Sequence, residues 1–392
     1  MATATSPAPA ATPSLRAEAE EIVARECFHQ TFNIPATTDH GELTFSYSDV
    51  GLTPDVKPGD ATVPVVLFHP GLFASRYIAV SLHSLAKHLG VRMIVIDRPG
   101  FGKSTNVPVE KRVDIWVELV PKLLGHLNIP HVTIVSHCAG TVYALNTLYR
   151  CRDILDPGRP TAVLLAPWVD PQHSKVAIMR AAQYIPSPAY SLFNGLSRFA
   201  ARGMLTTVSS SEAVLSTFGL GKPSEEEERV AKSWNEANNL KIERECGVSV
   251  SLQLALNEQT MRHIFSETTD GSNDEARHCA RKAPQGSWGV AEDYSAYVSE
   301  LASLERSRGE ASNDRDIAPK LSVMAFFATT DSIVGNGGRE YVEKCWKGTA
   351  GGFDDAFNFS SRIIDGSDHD GLVLSFEMWN AVVDKIRGAS TG

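Results

Sequence analysis

His131-Val132-Thr133-Ile134-Val135, then Ser136-His137-Cys138-Ala139-Gly140, then TVYALNTLYR to residue 150: a β-branched apolar run, a knot of small residues and a helical repeat follow without a spacer. The first run suits a strand buried on both faces. The last run carries apolar residues at helical spacing. The joint between them must be a tight strand-to-helix turn, which tolerates little bulk on either side of its apex. Ser136 and Gly140 are the small flanks and Cys138 is the apex. Such a turn strains the backbone of its central residue and pushes that side chain out above the sheet edge. It also aims the next amide, that of Ala139, at the same spot from a helix N-terminus, where a developing oxyanion would be stabilised. Taken alone, a cysteine reads as a buried apolar filler. At this apex it reads as a nucleophile.

Working outward, residues 42–50 (ELTFSYSDV) alternate at period two, as a half-exposed strand does. Residues 63–68, 92–96 and 162–165 are further apolar runs, while 77–89 and 112–127 repeat apolar positions at helical spacing. This βαβ alternation predicts an α/β fold, a mostly parallel sheet flanked by helices. From 172 to 317 no strand is evident. Ser224 with Glu227 forms a capping box that opens a helix there. Residues 268–288 are polar and contain glycine, so they predict a mobile loop. Residues 176–205, with Tyr184, Tyr190, Phe193 and Phe199, read either as a pocket lining or as a helix face packed on the body. Strand signals return at 321–328 and 359–364, and a helix is expected over 372–386. The organisation expected is a leader over 1–14, a core made of 15–171 and 318–392, and a helical insertion over 172–317.

These residues resemble the α/β-hydrolases, whose nucleophile elbow is G-x-S-x-G. The resemblance spans about residues 44–386; within the insertion it extends only to position and length. Phe68-His69-Pro70-Gly71-Leu72 follows the third strand, where that family places its oxyanion loop. Asp97-Arg98-Pro99-Gly100-Phe101-Gly102-Lys103-Ser104 looks like the family's D-x-P-G-x-G-x-S loop and reads as mostly structural. Asp331 follows the strand over 321–328, where the family carries its acid. His369 follows the last strand, where it carries its base. The resemblance therefore implies a Cys138, His369 and Asp331 triad, with backbone oxyanion donors at Ala139, Gly71 and Leu72. His69 and His137 would shape the site. Asp170, after the sixth strand, is the alternative acid. Asp368 and Asp370 flank the histidine and would shape its loop. The chain departs from the pattern at Ser136, in place of the first glycine, and at Cys138, in place of serine. Dienelactone hydrolases are similar in carrying cysteine at the elbow.

Composition narrows the field. The chain has 392 residues, 43% apolar and 21% charged, with a net charge of −9. That is an ordinary globular balance, and the acidic charge argues against nucleic-acid or anionic-membrane partners. The six cysteines form no CxxC pair, so no metal knuckle is indicated, and no metal or other cofactor is expected. The Ala/Pro/Thr/Ser start lacks a signal-peptide pattern, and no apolar run reaches the ~20 residues of a membrane span. A cytoplasmic enzyme acting on a small acyl substrate is expected. Cysteine beside histidine would attack as a thiolate and pass through a thioester. Hydrolysis of an ester, thioester or lactone is the first expectation. Acyl transfer, cyclisation or C–C bond cleavage on the same triad is the alternative, as is a ligand-binding relative without catalysis. Members of the family from microbial secondary metabolism carry similarly large caps.

Overall fold

The apolar runs become strands and the helical repeats become helices between them. The computed structural model describes residues 13–52, 63–72, 74–192, 224–311, 319–348 and 352–388. The described strands form one eight-stranded sheet, in the order β1 (Gln30–Ile34), β2 (Leu43–Gly51), β4 (Arg92–Ile96), β3 (Val65–His69), β5 (Thr133–His137), β6 (Thr161–Leu165), β7 (Leu321–Thr330) and β8 (Phe357–Asp368). β2 pairs antiparallel with β1 and β4; every other neighbour pair is parallel. All residues of β4, β5 and β6 are buried. Their continuous β-branched runs are what a sheet covered on both faces demands. β1 alternates in burial at the antiparallel edge. Its mixed polar sequence, QTFNI, carries no run of apolar residues, and the sequence reading passed over it.

The helices that flank the sheet start with α1 (Pro13–Val23), α2 (Ile78–His88), α3 (Arg112–His126) and α4 (Gly140–Arg150). Between β6 and β7 lie α5 (Pro171–Ser174), α6 (Ala177–Ala182), α7 (Glu225–Cys246), α8 (Val250–Ser266), α9 (Gly271–Cys279) and α10 (Tyr294–Ala311). Then come α11 (Gly335–Lys347) and α12 (Phe376–Arg387). No strand lies between β6 and β7 among the described residues. Ser224 and Glu227 make the reciprocal capping box at the start of α7, at 3.2 and 2.7 Å. Such a cap stabilises a helix by about 1 kcal/mol. α7 packs beside β8 and α12, and α8 packs on both α1 and α2.

Three expectations change. The 1–14 leader lies outside the described residues except for Pro13 and Ser14, which open α1 rather than a loose tail. The expected helix over 372–386 is broken at Ser375, whose extended backbone (ψ 111°) restarts it as α12 while its side chain accepts from Met378 N–H. The polar stretch 268–288 is ordered: it contains α9 and buries Glu275, His278, Cys279 and Trp288. Part of its polarity serves buried ion pairs. Of the apolar stretch 176–205, Tyr190 packs in a small cluster with Ala276 and Ala280, and Tyr184 is exposed. Phe193 and Phe199 lie outside the described residues.

Buried charge ties the insertion to the sheet. Arg76, fully buried before α2, donates to Asp97 at 2.5 Å and to both oxygens of Glu267 at 2.7 and 2.8 Å. Glu267 comes from the end of α8. Removing one partner of such a pair would strand the other in low dielectric, at about 3–5 kcal/mol.

Candidate active site

β5 ends at His137 and α4 starts at Gly140, so the chain reverses over two residues. Cys138 absorbs the turn at φ +48°, in the left-handed region that non-glycine residues avoid. Its amide donates to Leu165 O at 3.0 Å, and its carbonyl accepts from Thr141 N–H at 2.9 Å and Trp168 N–H at 3.3 Å. The strain is therefore held from both sides by backbone bonds. Gly140 has to be glycine because the end of β3 passes too close: a Cβ there would sit 2.2 Å from His69 O. Ser136 fits as the other flank with its side chain fully buried.

His369 follows β8 and is completely buried, and Cys138 is only 6% exposed. His369 Nδ1–H donates to Asp331 Oδ2 at 2.9 Å. Asp331 stands just beyond β7, and its other oxygen accepts the amides of Ile333 at 2.9 Å and Val334 at 2.7 Å. Burial alone would raise the Asp331 carboxyl. The charge of His369, its hydrogen bond and these two amides outweigh burial and hold it below the ordinary carboxylate range. Burial alone would lower the His369 imidazole. Asp331 on one side and the Cys138 sulfur on the other push it well above its ordinary value. His369 Nε2 is buried and makes no hydrogen bond among the described residues. The three groups thus stand in the order sulfur, imidazole, carboxylate.

The loop after β3 runs along the same edge. A Cβ on Gly71 would lie 2.9 Å from His137 Nδ1 and 3.4 Å from Cys138 Cβ. This places Gly71 beside the elbow, close to the start of α4. His137 is buried with its ring 4.7 Å from that of His369, and its Nε2 contacts His369 O at 3.1 Å. Burial first, and the charge of His369 second, push His137 down to about 4. His69 Nδ1 contacts Val135 O at 3.3 Å, and burial pushes this ring down to about 4 as well. Both rings are neutral near pH 7 and stand at this edge without adding charge. Asp368 accepts the Gly371 amide at 2.6 Å and Asn235 Nδ2 at 3.2 Å, bracing the histidine loop.

Asp170 is engaged elsewhere. It caps α5 through Gln172 N–H at 3.0 Å and pairs with Arg281 at 3.1 Å. The structure brings Cys138, His369 and Asp331 to one point and leaves Asp170 bound to the insertion. Two residues at this edge escaped the sequence reading. Arg98 lay in view within the D-R-P-G loop, and Glu275 sat in a polar run with no motif around it. Arg98 donates to the carbonyls of Pro70 and Gly71, both at 2.7 Å, and of Leu72 at 3.0 Å.

Residues 64–200 match the family described as the alpha/beta hydrolase fold. No curated protein matches the chain. Among solved structures, a carboxylesterase from the ammonia-oxidizing thaumarchaeon Nitrososphaera gargenis is similar at 13% identity and a TM-score of 0.51, over 91% of this chain and 98% of that one. A thermophilic esterase from Thermogutta terrifontis is similar at 16% identity and a TM-score of 0.46, over 92% and 97%. The enol-lactonase from Burkholderia xenovorans LB400 stands at 14% identity and 0.43, over 89% and 97%. At 13% identity the first likeness is one of fold. With the sheet order and the match over 64–200, the fold expected from the sequence is the one observed.

Proposed function

We propose that this chain, which has the α/β-hydrolase fold, is an enzyme that cleaves an ester, thioester or lactone through an acyl-Cys138 intermediate. One observation carries the reading: a cysteine at φ +48° on a strand-to-helix elbow, beside a histidine whose other nitrogen bonds Asp331 at 2.9 Å. Packing alone requires none of the three in that order.

The chemistry follows from the positions. His369 Nε2 takes the Cys138 thiol proton, and the imidazolium is stabilised by Asp331. The sulfur attacks the acyl carbon, and the carbonyl oxygen takes up the electron pair. The amide of Ala139 and the loop amides of Gly71 and Leu72 hold this oxyanion. The carbonyl re-forms, the bond to the leaving group breaks, and His369 returns its proton to the departing oxygen or sulfur. Water then attacks the thioester with His369 as base, and the acid leaves as the Cys138 sulfur regains its proton. The insertion, as a cap over this edge, sets which acyl group enters.

A second reading, transfer of the acyl group to an alcohol, amine or internal nucleophile, is favoured by burial: Cys138 is 6% exposed and His369 is 0% exposed. A site that excludes bulk water slows hydrolysis relative to attack by a bound acceptor.

Intact-mass analysis after exposure to p-nitrophenyl esters and thioesters of graded length tests both. An acyl adduct on Cys138, absent from Cys138→Ala, is expected. Its decay with and without an added alcohol or amine separates hydrolysis from transfer. An enzyme that turns over without any adduct and survives Cys138→Ala has another mechanism.

A further inference from the structure

The stretch that looked loose in the sequence is bound to the reacting centre by backbone and by charge. Gly271 N–H donates to Gly100 O at 2.9 Å, and Gly102 N–H donates to Thr268 O at 2.9 Å. The contact is so close that a Cβ on Gly271 would lie 2.3 Å from Pro99 O. Trp168, whose amide donates to Cys138 O at 3.3 Å, donates its indole N–H to Cys279 O at 3.2 Å. These bonds seat α9 on the 97–104 loop and next to the elbow.

Glu275 points from α9 into this joint and is 1% exposed. One oxygen accepts from Arg112 Nη1 at 2.8 Å and from the hydroxyl of Tyr143, which stands on α4 behind the nucleophile. The other faces Arg98 Nε at 3.6 Å. Burial alone would raise the Glu275 carboxyl, but the charges of Arg98 and Arg112, with His278 behind them, hold it below the ordinary range. It stays an anion between two guanidiniums.

Through Nη1 and Nη2, Arg98 donates to three successive carbonyls, those of Pro70, Gly71 and Leu72. A peptide unit is planar, with its C=O and N–H pointing in opposite directions. Holding Pro70 O from behind therefore sets the direction of the Gly71 amide, and holding Gly71 O sets that of Leu72. These are the two loop amides that would face the oxyanion.

We propose that Glu275 is a positioning residue for acyl chemistry at Cys138: it fixes Arg98, and Arg98 aims the Gly71 and Leu72 amides at the reacting oxygen. The inference rests on the acyl-cysteine reading above. It makes the insertion part of the catalytic centre and not only a source of specificity. Donors preorganised at an oxyanion are worth about 10²–10³ in rate, and a small loss of aim forfeits part of that.

Two reagents separate aim from integrity. Iodoacetamide attacks the Cys138 sulfur and needs no oxyanion hole. The fastest member of a p-nitrophenyl ester series, acetate to octanoate, needs it. Glu275→Gln should slow the p-nitrophenol burst by roughly 10–100-fold, with KM nearly unchanged. Alkylation of Cys138 should stay within about twofold of wild type. Arg98→Lys, which keeps the charge but cannot reach three carbonyls, should behave alike and serves where Glu275→Gln does not fold. An unchanged burst, or burst and alkylation falling in equal proportion, overturns the proposal, as does failure of both variants to fold. A wild-type protein that is alkylated at Cys138 but gives no burst with any ester sinks the acyl-cysteine reading itself, and the inference with it.

Discussion

Cys138 holds φ +48° because backbone bonds from Leu165, Thr141 and Trp168 fix it there, so the side chain can change without collapse of the turn. Cys138→Ser should therefore melt close to wild type; circular dichroism during a thermal ramp reads this. A drop of more than a few degrees would mean that the sulfur itself supports the elbow. The acid is a sharper matter. Asp331 raises the proton affinity of His369, and a histidine that readily takes the thiol proton makes the sulfur reactive. Asp331→Asn removes that charge, so iodoacetamide labelling of Cys138 near pH 7 should slow by about tenfold or more and turnover by roughly a hundredfold or more. Asp170→Asn should leave both near wild type, since Asp170 bonds Gln172 and Arg281. The reverse ranking would move the acid to the end of β6.

At the scale of elements, α9 and the turns around it decide how the insertion behaves. Polarity and glycine content predicted motion here because such a segment buries little apolar surface. What holds it down is different: backbone bonds to Gly100 and Gly102, ion pairs from Glu275, and Asn146, which donates to Trp288 O at 2.8 Å and accepts from Val290 N–H at 3.0 Å. Limited proteolysis should accordingly spare residues 268–288. An early cut there, in protein whose Cys138 is still reactive, would show that these bonds open readily. Gly271→Ala should cost about 1–3 kcal/mol, because the added Cβ meets the Pro99 carbonyl and backbone must shift. Thermal unfolding of that variant measures the cost, and an unchanged melting temperature would mean that the approach of α9 to the loop is slack.

Over the whole molecule the buried histidines should weaken the fold as the medium turns acid. His69 and His137 are pushed down to about 4, and burial also lowers His83 and His278. A depressed native value means that the unfolded chain binds protons the native fold refuses. Their contribution is therefore present above the unfolded value, near 6.5, and is lost as pH falls from there towards 4. His369 has the opposite sign: raised in the fold, it stabilises below about 6.5 and loses that effect as pH rises through its native value. The depressed rings outnumber it, so the melting temperature should fall between pH 6.5 and 4, before general carboxylate protonation. His69→Asn should flatten part of that slope. A melting temperature level down to pH 4.5 would show that these rings take up protons without unfolding. Among the described residues, no helix is long and apolar enough to cross a membrane.

The sequence by itself determined most of the sheet, β1 excepted, and the tight turn at its edge. β4, β5 and β6 are short apolar runs that only burial on both faces explains, and the small flanks of Cys138 admit no turn but a tight one. These are local signals, carried by neighbours along the chain. The pairing of Asp331 with His369 was legible only by analogy of position, since nothing local to Asp331 sets it apart from Asp170. Tertiary structure separated them: one carboxylate meets an imidazole across β7 and β8, and the other meets Arg281. The fate of 268–288 was not legible at all. A buried glutamate looks like a solvated one until its two arginines arrive from far away in sequence, Arg98 from the loop before α3 and Arg112 from the first position of α3. A charge can leave water only where opposite charges and hydrogen bonds replace the solvent, and that replacement is made by long-range contacts that no window of the sequence contains.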